Sequence, residues 1–118
     1  MFNRFFGKSA ASAPASAVDV TEAQRRLASR EAVLIDVREP DEWQEGHVAG
    51  AAHIPLGDLT ARLAEVPRDR PVLLFCRSGN RSGRATALLR EQGYDQATNV
   101  EGGITAWQRA GLPVTRGN

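Results

Sequence analysis

Apolar residues in this chain gather in short unbroken runs separated by polar stretches of helical length. Val33-Leu34-Ile35-Asp36-Val37 and Val72-Leu73-Leu74-Phe75 lack the alternation of a half-exposed strand. Runs of that length fit strands covered on both faces, as in a parallel sheet. Ala97-Thr98-Asn99-Val100 reads as a last strand, with Val18-Asp19-Val20 and Ala52-His53-Ile54 as shorter extended segments. Thr21 with Gln24 three residues on makes a capping-box pattern, which predicts a helix from Glu22 to about Ser29. Pro40 to Glu45 fits one helical turn with proline near its start, and Gly46 and Gly50 bracket a turn. Leu56, Leu59 and Leu63 have helical spacing, and Gly83 to Gly93 reads as a helix closed by a glycine. Gly102-Gly103 opens a last short helix that carries Trp107 and ends at Gly111-Leu112-Pro113. Strands and helices alternating at these lengths predict an α/β fold, a three-layer α/β/α sandwich around a mostly parallel sheet.

At 118 residues with 42% hydrophobic content, the chain suits one domain with one core rather than global disorder. A formal net charge of +1 excludes the basic stripe of a nucleic-acid binder, and no stretch is apolar enough to span a bilayer. One cysteine excludes an internal disulfide and argues for a reducing, cytoplasmic setting. Residues 1–17 differ from the rest: Arg4, Lys8 and three phenylalanines precede a low-complexity run of alanine and serine. They are expected to be a disordered tail, with a targeting segment as the alternative, leaving residues 18–118 as the domain.

That cysteine, Cys76, stands where a buried strand gives way to the loop Arg77-Ser78-Gly79-Asn80-Arg81-Ser82 and then a helix. Ligands of open α/β sheets sit at the carboxyl ends of the strands. A thiol there meets unpaired backbone N–H groups and the positive end of a helix dipole. Arg77 and Arg81 add positive charge, a setting that lowers a cysteine pKa and holds an anion against the sulfur. Lowering an ordinary thiol pKa by about two units takes roughly 2.7 kcal/mol of preference for the anion. A helix terminus offers on the order of 0.3–1 kcal/mol, so converging amides and guanidinium charge are expected to supply the remainder. Gly79 is expected to take a positive φ in so tight a loop.

These residues resemble the rhodanese-like sulfurtransferases over roughly residues 18 to 115. The resemblance rests on Leu34 to Glu39, on Gly46 to Pro55, on the loop Cys76 to Ser82, and on Gly102 to Trp107 followed by Gly111-Leu112-Pro113-Val114. It implies a five-stranded parallel sheet and a single-domain thiosulfate sulfurtransferase with Cys76 as sulfur carrier and Arg77, Ser78, Gly79, Asn80, Arg81 and Ser82 as the substrate cradle. It also implies passage of a sulfane sulfur from thiosulfate or a persulfide to cyanide, a thiol or a sulfur-accepting protein. No cofactor or metal is needed, because the cysteine itself stores the sulfur.

A non-catalytic interaction module of the same fold is an alternative, against which the intact loop speaks. Phosphatases and arsenate reductases of similar architecture place five residues between Cys and Arg. Here four separate Cys76 from Arg81, and Ser82 takes the phosphatase arginine position. His47 and His53 lack a companion ligand pattern and fall in a turn motif read as structural. Asp36 and Arg38 are expected to fix the sheet end, Trp43 and Trp107 to serve as core or wall, with Trp107 also a candidate for the pocket mouth.

Overall fold

The computed structural model of the chain describes residues 16–117. In chain order the elements are β1 (Ala17–Val18), α1 (Val20–Ala28), β2 (Val33–Asp36), α2 (Pro40–Glu45), β3 (Ala52–His53), β4 (Val72–Phe75), α3 (Asn80–Glu91), β5 (Ala97–Val100) and α4 (Gly103–Arg109). The strands form one sheet in the order β1-β5-β4-β2-β3, every pairing parallel. Register brings the strand ends level, with Asp36 opposite Phe75 and Leu74 opposite Asn99. The expectation of a disordered tail falls almost wholly outside the described residues.

Both faces of the sheet are covered, which is why its strands read as unbroken apolar runs. Leu73 and Phe75 of β4 point into a core with Leu34, Ala23, Ile104 and Trp107 on the α1 and α4 side. Val72, Leu74 and Cys76 point the other way, among Ile35, Leu59, Ala85, Leu89 and Tyr94 on the α3 side. Full burial of each Leu or Phe contributes about 1.5–3 kcal/mol, so β4 anchors the domain. The two-residue period of the strand puts Cys76 on the face that α3 covers.

The local signals hold with four corrections. The first strand is Ala17–Val18 rather than Val18 to Val20, so Ala17, expected in the tail, pairs with Asn99 in the sheet. Helix α1 starts at Val20, because the Asp19 carboxylate accepts from the Glu22 amide at 2.9 Å and displaces Thr21 as the cap. The Leu56–Leu63 spacing yields two 3-10 segments, Leu56–Asp58 and Thr60–Glu65, with a break at Arg62 (φ −114°, ψ 23°). Leu59 is fully buried between them, so core anchoring selects tight turns over a continuous helix. Helix α3 begins at Asn80 rather than Gly83, since Gly79 at φ 104° ends the loop and its carbonyl accepts from the Gly83 amide.

Behind the sheet end, Asp36 and Arg38 pair with each other at 2.7 Å, both almost wholly buried at 1% and 3% side-chain exposure. Arg38 also donates to the carbonyls of Glu42 and Gly46, and Asp36 accepts from the Arg38 amide. The pair thereby fastens α2 to the carboxyl end of β2. Trp43 stacks on His47 at 3.6 Å and on His53 at 4.8 Å. His47 Nδ1 lies 2.8 Å from the Trp43 carbonyl and His53 Nε2 2.8 Å from the Arg38 carbonyl, so each imidazole is engaged within this corner.

Candidate active site

Cys76 follows β4 directly, and the residue is 1% exposed, its sulfur cupped in a bowl of donors from the loop at residues 78–82. The Gly79 amide donates to Cys76 Sγ at 3.1 Å and the Ser82 hydroxyl at 3.2 Å. Burial pushes the thiol pKa up. The Ser82 hydroxyl and the amides of Ser82, Gly79 and Ser78 outweigh it, and the net shift is downward. Hydrogen bonds aimed at the sulfur favour the thiolate, the nucleophilic form.

The loop is held in this shape from two sides. At the first turn of α4, the Ile104 amide donates to the Cys76 carbonyl at 2.9 Å and the Thr105 amide to the Arg77 carbonyl at 3.1 Å. A Cβ at Gly103 would collide with those same loop carbonyls, so only glycine lets α4 approach this closely. On the other side, Asn99 at the end of β5 donates through Nδ2 to the Gly79 carbonyl at 3.1 Å. Its Oδ1 accepts from the Ser82 hydroxyl at 2.6 Å. Ser82 has one hydroxyl proton, so Asn99 and the sulfur compete for it.

The predicted loop residues divide the work differently from expectation. Ser78, Gly79 and Ser82 supply donors to the sulfur, while Asn80 begins α3 with an exposed side chain. The arginines turn to Glu42 on α2. Arg81 donates to both carboxylate oxygens, at 2.7 and 2.9 Å, and Arg77 donates through Nε and Nη2 at 3.2 and 3.0 Å. The Glu39 amide adds a further donor at 3.0 Å. With Arg81 as the main cause, the Glu42 carboxyl is lowered to about 2, and Glu42 in turn raises the Arg81 pKa. The thiol is therefore primed chiefly by neutral donors rather than by guanidinium charge.

Trp107 stands away from the mouth, edge-on to Phe75 in the α1–α4 core, with its indole N–H on the Pro113 carbonyl at 2.8 Å. Sequence reasoning missed Glu42 and Asn99. Asn99 carried a signal, a carboxamide in an otherwise buried strand end. Glu42 carried none, because only the fold brings it to arginines 35 and 39 positions away.

The rhodanese-like domain model matches residues 19–110. The chain is 43% identical over 98 residues to a sulfurtransferase of Allochromatium vinosum, across 82% of this chain and 92% of that one. Among solved structures, a rhodanese-related protein from Thermoplasma volcanium superposes with a TM-score of 0.76 at 29% identity, covering 85% of this chain and 97% of the other. The thiosulfate sulfurtransferase of Pseudomonas aeruginosa gives 0.79 at 29% identity over 87% of this chain and 20% of that larger one. With a domain match running from α1 through the cysteine loop to α4, the chain belongs to the rhodanese-like family.

Proposed function

We propose that the protein is a sulfurtransferase that carries sulfane sulfur on Cys76. The observation that carries this reading is the ring of donors from Ser78, Gly79 and Ser82 around one buried sulfur. The Cys76 thiolate attacks the outer sulfur of thiosulfate or of a persulfide. The donor's sulfur–sulfur bond breaks, and sulfite or a thiolate departs with the electron pair. The resulting persulfide is held by the same donors until cyanide or a thiol attacks its terminal sulfur, which returns Cys76 to the thiolate. The nucleophile and the carrier are one atom, so the cycle balances without a cofactor. The chain has one cysteine, so the accepting thiol belongs to another molecule, a small thiol or a sulfur-accepting protein in the cytoplasm.

Residues 18–118, with Ala17 completing β1, act as the working domain in this reading. Four residues separate Cys76 from Arg81, one fewer than in the phosphatase and arsenate reductase pattern, which counts against that alternative. The test is intact mass after incubation with a sulfane donor. One added sulfur atom is expected, removable by cyanide and absent in Cys76→Ser. No adduct from thiosulfate or an organic persulfide would leave the fold as a protein-interaction module.

A further inference from the structure

The Glu42 carboxylate is saturated. Its Oε1 accepts from Arg81 Nη1 and the Glu39 amide, its Oε2 from Arg81 Nη2 and from Arg77 Nε and Nη2. Its side chain is 12% exposed, against 28% for Arg81 and 58% for Arg77. The carboxyl stays ionised throughout the neutral range, so the three side chains together carry one positive charge instead of the two expected from the loop. The fork of Arg81 that would grip a departing oxyanion is already filled by Glu42 in a bidentate pair.

We propose that Glu42 is a specificity-determining residue that tunes the mouth of the Cys76 bowl to singly charged sulfane donors, organic persulfides or thiosulfonates, over the dianion thiosulfate. This rests on Cys76 being the sulfur carrier. With thiosulfate, the thiolate and the dianion give a singly charged persulfide and sulfite, which leaves with two negative charges. With methanethiosulfonate, the same attack gives the persulfide and methanesulfinate, which leaves with one. The two donors share a tetrahedral sulfur and differ by one methyl in place of one charged oxygen, so they isolate charge from shape. A mouth of net single positive charge balances the second leaving group and leaves the first undercompensated.

The experiment measures kcat/KM for both donors with cyanide as acceptor, in the wild type and in Glu42→Gln. Glutamine keeps an acceptor for the Glu39 amide and a similar shape, and a thermal melt checks the fold. The ratio of thiosulfate to methanethiosulfonate efficiency is expected to rise about tenfold or more in Glu42→Gln. Arg77→Ala, which removes one positive charge from the exposed rim, is expected to move the ratio the other way and serves if the first variant folds poorly. An unchanged ratio, or an equal change with both donors, overturns the role given to Glu42. If neither donor adds sulfur to the wild-type Cys76, the sulfur-carrier reading itself fails, and this proposal with it.

Discussion

Two arginine–carboxylate clusters sit a few residues apart at the carboxyl end of the sheet, and they serve opposite ends. Asp36–Arg38 is shut away from water, and its remaining donors are spent on the carbonyls of Glu42 and Gly46. Glu42–Arg77–Arg81 joins α2 to the cysteine loop, with Glu42 12%, Arg81 28% and Arg77 58% exposed. The first is a pin, the second a tuned surface. They are linked, because Arg38 holds the backbone of the residue whose side chain gathers the other two arginines. Burial decides the difference: a buried charge must keep its partner, whereas a rim charge can change partners when an anion arrives.

The largest expected effect is on the pin. Arg38→Leu leaves the Asp36 carboxylate buried and uncompensated and should cost about 3–5 kcal/mol, read by urea unfolding. A loss under 1 kcal/mol would make the two clusters equivalent and the contrast false.

Next comes the loop. Gly79→Ala forces a side chain onto φ 104° and places its Cβ 3.2 Å from the Gly102 amide nitrogen. A destabilisation of about 1–3 kcal/mol is expected, with sulfur transfer falling further than stability. Unchanged transfer per folded molecule would mean that the bowl does not depend on the Gly79 backbone.

Smaller still is the response of the rim to acid. The Glu42 pKa is depressed from the ordinary carboxyl value of 4.5 to about 2, so its pairing stabilises the fold fully above that ordinary value. The contribution drains away as pH falls from 4.5 towards 2. Glu42→Gln should therefore lose stability less steeply than wild type through that window, in urea titrations at stepped pH. Parallel curves would place the pair outside the folding equilibrium. Smallest is Arg77→Ala, where an exposed arm of the cluster should contribute no more than about 0.5 kcal/mol to unfolding.

Much of the fold was legible because burial on both faces leaves a plain signature. The runs at Val33 to Asp36 and Val72 to Phe75 appear as strands where their composition put them. The cysteine loop was equally plain, since a strand end, a glycine and a helix start lie consecutively. What misled was competition between neighbours: Asp19 against Thr21 for one cap, and the buried Leu59 against the helical spacing around it. What stayed hidden was contact at long range. The arginines looked like part of the electrostatic priming, beside the loop amides, because nothing along the chain linked them to Glu42. With them turned aside, Ser82 and the backbone amides carry the priming, and Asn99 holds Ser82 and the Gly79 carbonyl in place.

The central claim is that this donor ring shifts the Cys76 sulfur towards its ionised form despite its burial. It is tested most directly by the alkylation rate of Cys76 with iodoacetamide as a function of pH, in a protein with no second thiol to interfere. The rate should rise to a plateau with its inflection below the ordinary thiol value of 9.0. An inflection at or above that value would mean that burial wins over the donors, and the account of a primed sulfur would be wrong.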